Sequence, residues 1–490
     1  MSLQVAPPLR GALGLTGLLI LGLAGLLYAD GGVFAATKHG IPATGIERLT
    51  GPDYPRGSCI QCHYQHASAE GSPTGAANPY ALFAANDNNL CGSPGCHADA
   101  GASHIYLGLA AYSQSAHATG ASVVWPGPTP WARRISDEGK CINCHDPHGH
   151  ADTSGLIPTL GIAREQALCL TCHDGSPAHT NVRAEMLKTY AHPALTVSGR
   201  HSVSEGNDFT RFGDGNRHAE CEDCHNIHDL RHPTAPPTAP NASDRLRGVS
   251  YIEVVNGTAW TRPAYVFHPA DDPTPVSGEY QLCFRCHSSW TTLPLTSPSG
   301  RPPTDKAQEF NPNNLSYHPV EAPGKQVSTV MDNGLLPPYA SSSVIYCSDC
   351  HSSDSGAAPA GPHGSTNRYL LKRPYVTTEQ RTEYTSSDAA LCFACHSETA
   401  LMDEEETNNQ HTNFPRHKMH LRGASGTASL LPTCDSCHGN VHGSQKERLV
   451  DFSQEQHLTS FTSWTSKEAG AGVGQCTLVC HGQRHDRQEY

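Results

Sequence analysis

Residues 217–228 read RHAECEDCHNIH and residues 434–442 read CDSCHGNVH. Each holds two cysteines three positions apart, a histidine directly after the second, and another histidine three or four positions further on. The Cys-x-x-Cys-His core occurs eight times: at Cys59, Cys62 and His63; Cys141, Cys144 and His145; Cys169, Cys172 and His173; Cys221, Cys224 and His225; Cys283, Cys286 and His287; Cys347, Cys350 and His351; Cys392, Cys395 and His396; and Cys434, Cys437 and His438. Two looser versions complete the set, CGSPGCH (Cys91, Cys96, His97) and CTLVCH (Cys476, Cys480, His481). Ten motifs use all twenty cysteines, which leaves none for a disulfide, a zinc site or a free thiol.

The spacing has a chemical reason. Two thiols on one helical turn reach the two vinyl groups of a haem and form thioethers, and the adjacent histidine turns its imidazole onto the iron. Zinc ribbons pair two Cys-x-x-Cys knuckles per metal and do not ask for a following histidine. A thioredoxin-like dithiol needs one such motif, not ten. The expectation is ten covalently bound haem c groups, with the motif cysteines as attachment points and the motif histidines as proximal iron ligands.

The motifs alternate with a period of two. First members are followed closely by a second histidine, at His66, His148, His228 and His442, and after a delay at His363; second members are preceded by Leu90, Leu168, Leu282 and Leu391, with the Cys476 motif the exception. Five two-haem modules follow: residues 37–116, 117–190, 191–310 with a hairpin insertion, 311–410 and 411–490, after a leader over 1–36. A histidine three or four positions beyond the proximal one lies on the same side of its own haem, so it should ligate a different haem, most simply its partner in the module. Upstream histidines supply the remaining distal ligands: His39 or His104, His117, one of His192, His201 and His218, His318, and His417 or His420. His150, His179, His232, His457 and His485 read as solvated loop residues. Beyond Met1 only Met186, Met331, Met402 and Met419 exist, so bis-histidine ligation and low potentials are expected.

Composition agrees with a cofactor-filled interior. Of 490 residues, 37% are hydrophobic and 7% aromatic, with 45 Gly and 37 Pro, which is thin material for apolar cores. About 45 residues per haem are too few to insulate each one, so the expected fold is mostly irregular coil, short α-helices around the motifs, a few short β-hairpins and a stack of haems as the core. SYIEVVNGTAWTRPAYVF (residues 250–267) carries a hairpin signal at Asn256-Gly257. Residues 233–240 and 294–303 read as connectors, and Asp403–Glu406 as a solvated acidic loop. Arg10, the apolar run from Gly11 to Tyr28 and the small residues Ala35 and Ala36 read as a cleaved export signal, with an uncleaved membrane anchor as the alternative. A net charge of −13 without a basic cluster excludes nucleic-acid binding and suits basic docking partners.

The phrases RHAECEDCHNIH, YCSDCHSSDSGAAPAGPHGS (residues 346–365) and LCFACHS (residues 391–397) resemble the doubled-CXXCH multihaem cytochromes c of metal-reducing and sulfate-reducing bacteria. The resemblance covers most of the chain as a motif scaffold, while the spacers carry none of it. It implies a periplasmic or cell-surface electron carrier whose partners are other cytochromes or extracellular electron acceptors, in an outer-membrane conduit or a self-assembled filament. The competing reading is a multihaem enzyme that reduces nitrite or oxidises hydroxylamine. Such enzymes need an iron with an open distal position, which some relatives mark with Lys in place of the motif His, whereas all ten motifs here end in His.

Overall fold

The computed structural model describes most of residues 34–48, 53–73, 81–98, 109–119, 141–148, 165–195, 219–293, 303–377, 383–402, 412–423, 431–465 and 474–489. Nearly all of the leader, His66, His104, His150, His201, His218, connector residues 294–302 and the acidic run at 403–406 lie outside the described residues. The chain divides into two compact units, residues 1–163 and 164–490.

Short local elements build the first unit. They are a turn at Cys59–Gln61, strands β1 (Ser68–Ala69) and β2 (Ser72–Pro73), one-turn helices at Asn88–Cys91, Leu109–Tyr112 and Ala116–Thr119, and a turn at Cys141–Asn143. Polar side chains fix them. Buried Gln61, inside the first motif, accepts from the Arg48 backbone N–H at 3.0 Å and donates to the Tyr54 carbonyl at 2.9 Å. The Arg48 guanidinium lies 4.3 Å from the Phe83 ring centre, a cation–π contact that does the work of an apolar anchor. Asp87 caps the Asn88–Cys91 helix by accepting from Asn89 N–H at 2.8 Å.

The second unit contains strands β3 (Tyr190–Ala191), β4 (Tyr251–Val255), β5 (Ala264–His268), β6 (Ser316–Tyr317), β7 (Gly364–Ser365), β8 (Gly443–Ser444), β9 (Leu458–Thr465), β10 (Gln475–Cys480) and β11 (Gln483–Glu489). β4 and β5 form an antiparallel hairpin with Val255 opposite Ala264. Its loop runs past the Asn256-Gly257 dipeptide because that dipeptide is used for tertiary contacts: Asn256 donates to Glu321 at 2.7 Å, and Asn313 donates to the Gly257 carbonyl at 2.7 Å. β10 is the centre of a three-stranded antiparallel sheet with β9 and β11. Two minimal sheets reach across long stretches of chain: β3 pairs with β7, Tyr190 opposite Ser365, and β6 pairs with β8, Tyr317 opposite Gly443.

The sequence is thin in apolar residues, but the described residues hold two side-chain clusters, the smaller being Val249, Tyr251, Val276 and Leu282. In the larger, Ile252, Phe284, Ala307, Phe310 and Val320 are buried together, with Tyr265, Phe267 and Trp290 packed against them. The helix Glu279–His287 carries the Cys283 motif into this core, so one attachment site rests on ordinary hydrophobic packing. Among the described residues, no helix is long and apolar enough to cross a membrane.

Candidate functional site

Eight of the ten motifs curl into one helical turn, and the looser Cys91 motif closes a wider one. In eight of these nine the motif histidine N–H donates to the first cysteine's carbonyl, from His63 to Cys59 at 3.0 Å through His438 to Cys434 at 2.9 Å, including the looser His97 to Cys91 at 3.0 Å. The ninth, at Cys283, lies within the helix Glu279–His287. Where the third motif residue is Asp or Ser it caps the turn: Asp223 accepts from Glu220 N–H at 2.8 Å, Asp349 from Tyr346 N–H at 2.9 Å, and Ser436 from Thr433 N–H at 3.0 Å. The tenth motif differs. Cys476 and Cys480 stand on β10, with register shifts between them, and His481 N–H donates to the His457 carbonyl instead.

The motif histidines are aimed by a second recurring element. After three of the first-member motifs comes a short 3₁₀ turn, at Asp244–Leu246, Arg368–Leu370 and Glu447–Leu449. The imidazole Nδ1 of His225 donates to Arg245 O at 3.1 Å, that of His351 to Tyr369 O at 2.9 Å, and that of His438 to Leu449 O at 3.2 Å. A carbonyl only accepts, so Nδ1 carries the proton and Nε2 keeps its lone pair free for a metal. The second and third turns adopt left-handed backbone at Tyr369 and Leu370 (φ 63° and 59°) and at Arg448 and Leu449 (φ 62° and 57°), local strain held in place by these contacts.

Six motif histidines face a second histidine at a common spacing. Ring centres lie 6.0 Å apart for His63 and His148, 5.9 Å for His97 and His39, 6.2 Å for His225 and His363, 6.3 Å for His287 and His192, 6.3 Å for His351 and His442, and 6.5 Å for His396 and His318. An iron bonded to two opposed imidazole nitrogens at about 2 Å each, with each nitrogen about 1 Å from its ring centre, requires centres about 6 Å apart. These six pairs therefore fit bis-histidine haem. The sequence reading expected the histidine after a first-member motif to serve its module partner; His148, His363 and His442 instead each face the first motif of an earlier module.

The minimal sheets explain that exchange. β3 leads into His192 and β7 follows His363; β6 leads into His318 and β8 follows His442. The upstream histidine is tied to the residue before the downstream one: His192 Nδ1 donates to Pro362 O at 2.7 Å, His318 Nδ1 to Val441 O, and in the first unit His39 Nδ1 to Pro147 O at 3.2 Å. Glycine is obligatory behind two of them. A Cβ on Gly364 would lie 1.8 Å from Glu185 O, and one on Gly443 1.8 Å from Glu309 O. Buried Ser365 and Ser444 then close each corner by donating to Leu371 O at 2.6 Å and Val450 O at 2.7 Å.

Burial favours the neutral form, the form a metal binds, at four of these rings. It lowers His97, His351, His363 and His396 to about 4, and neighbouring histidines add to the effect. His417 is lowered to about 3 by burial and then by His438, which places it beside that proximal histidine. Of the alternatives His417 and His420, His417 adjoins a motif histidine and His420 instead faces His485, at 6.3 Å. His457 stacks on His481 at 4.7 Å, too close for an intervening iron. Sequence reasoning assigned His457 and His485 to solvent, because nothing in local spacing announces a partner across a sheet. His179 and His232 are exposed. His117 lies on the helix Ala116–Thr119, His228 is half-buried after its motif, and His145 and His173 have His97 and His225 as electrostatic neighbours.

The thiols run in sequence order. First cysteines of the two motifs that flank each module boundary hydrogen-bond: Cys91 with Cys141, Cys169 with Cys221, Cys283 with Cys347 and Cys392 with Cys434. Within modules it is the second cysteines that adjoin: burial and then Cys96 push Cys62 up to about 11, and burial and then Cys395 push Cys350 up to about 12.

The family described as the doubled CXXCH motif matches residues 135–178 and 337–401, each segment holding one complete motif pair. The match supports a multihaem c-type cytochrome. No curated protein and no solved structure matches it.

Proposed function

We propose that this chain is an exported cytochrome that carries haem c at its ten motifs and passes electrons along them, most irons held between two histidines and none kept open for a substrate. The observation that carries this reading is the near-constant spacing of six motif histidines from a facing histidine, 5.9 to 6.5 Å. Haem c supplies a reversible one-electron couple, and all-histidine ligation without methionine sets it low.

The chain's own residues do the rest. Motif cysteines hold each group covalently, the 3₁₀ turns fix proximal rings by their Nδ1 protons, and His39, His148, His192, His318, His363 and His442 occupy distal positions. His417 serves the Cys434 motif. Within each unit, neighbouring thiols of consecutive motifs support electron transfer in sequence order. The tenth motif attaches its haem once the strand between Cys476 and Cys480, already broken by register shifts, closes on the porphyrin. The leader directs export to the periplasm or cell surface, and the acidic charge of −13 suits basic redox partners or extracellular acceptors, in an outer-membrane conduit or a filament.

The test is ligand addition to the native protein. Cyanide, nitrite and carbon monoxide should leave the spectrum unchanged; a stoichiometric change at one haem would replace the conduit with an enzyme.

A further inference from the structure

Among the described residues, seven histidine Nδ1 atoms donate to backbone carbonyls and two to carboxylates, His268 to Asp272 and His442 to Glu309, and of these two it is His442 whose ring faces a motif histidine. The acceptor is Glu309 Oε2 at 3.1 Å, on a side chain that is 4% exposed and also accepts from Lys306 Nζ at 2.7 Å. The Phe310 ring tilts against His442 at 5.1 Å, and the Gly443 backbone packs on the Glu309 carbonyl, so the imidazole is held onto the carboxylate from two sides.

The corresponding corner, one repeat earlier, is built differently. Glu185 occupies the place of Glu309, because its carbonyl meets Gly364 as that of Glu309 meets Gly443. Its carboxylate, however, accepts from Lys188 at 2.6 Å and from the Ser353 hydroxyl, and it makes no hydrogen bond to His363 among those described. The two corners share a backbone arrangement, and among the described hydrogen bonds the carboxylate reaches the imidazole only at Glu309.

We infer that Glu309 tunes the haem of the Cys347 motif, through His442, to a lower potential than its neighbours. This rests on the bis-histidine reading above. A buried carboxylate that accepts the Nδ1 proton gives the ring imidazolate character, makes Nε2 a stronger donor and favours ferric over ferrous iron. A carbonyl acceptor does this more weakly, since the charge-assisted bond is the stronger one. The haem of the Cys347 motif is then a step in the chain's potential profile that the neighbouring sites lack. Glu309 is a positioning residue, acting on the iron only through His442.

The experiment is a spectroelectrochemical titration of the loaded protein, with low-temperature electron paramagnetic resonance of the same samples. E309Q should move one redox component to higher potential and shift the low-spin signature of one haem, with haem content unchanged. K306M, which removes the competing donor, should move the same component the opposite way. E185Q should move no component as far as E309Q does. An E309Q protein with an unchanged titration and signature, or an E185Q protein that moves equally, would overturn the inference. A wild type whose irons are not low-spin bis-histidine would sink the underlying reading, and the two failures are separable in the same spectra.

Discussion

His148 faces His63 with ring centres 6.0 Å apart and planes 18° from parallel, although the two residues belong to different motif pairs. The histidine that follows one motif thus faces the histidine of another. His363 with His225 and His442 with His351 repeat the relationship. On the proposed bis-histidine reading, modules that exchange ligands cannot separate without opening an iron, so the haems bind the chain together as well.

The first prediction follows from that pair. Replacing His148 by Ala should open one iron, so that the ferrous variant binds one equivalent of carbon monoxide where the wild type binds none. Binding of none by the variant would mean that His148 is not a ligand.

Gly443 tests the corner that positions His442. A methyl group there meets the Glu309 carbonyl at 1.8 Å, and neither backbone can yield without breaking the β6–β8 pair. G443A should lose about 2 kcal/mol or more of stability and disturb the low-spin signal of one haem. Chemical denaturation followed at the Soret band measures both.

Phe284 tests the side-chain core. It is 1% exposed, lies between the two cysteines of its motif and contacts Phe310 at 5.9 Å. F284A should cost about 3–5 kcal/mol, while the cysteines on either side still attach haem. Equal stability of variant and wild type would show that haem packing, not this cluster, holds the region.

Glu321 gives a pH dependence with a definite sign. Burial raises its carboxyl from 4.5 to about 7, against the opposing hydrogen bond from Asn256. A raised carboxyl favours the fold while protonated; its contribution is complete below the unfolded value and is lost as pH rises through about 7. E321Q should therefore exceed wild-type stability by about 1–3 kcal/mol above pH 8 and match it near pH 4. A difference independent of pH would contradict the assignment.

Much of the attachment chemistry was legible in the sequence, because the distance between two vinyl groups fixes the spacing of Cys221 and Cys224, and a short turn such as Glu220–Cys224 encodes it locally. Distal histidines were legible as candidates only. His192 and His318 were in the expected set, but their neighbours arise from two-residue strands that join segments over a hundred residues apart, and such strands have no periodicity to read. The 3₁₀ turns behind His351 and His438 depend on left-handed residues that are not glycine, so no composition signal marks them. The hairpin signal at Asn256-Gly257 lay between strands that do pair, but the loop is set by Glu321 and Asn313, residues remote in sequence.

The central claim is covalent haem at every motif, and the intact mass of the purified protein tests it most directly. The account predicts the mature polypeptide plus ten haems, one for each cysteine pair. A mass equal to the polypeptide alone, or short by several haems, would contradict it.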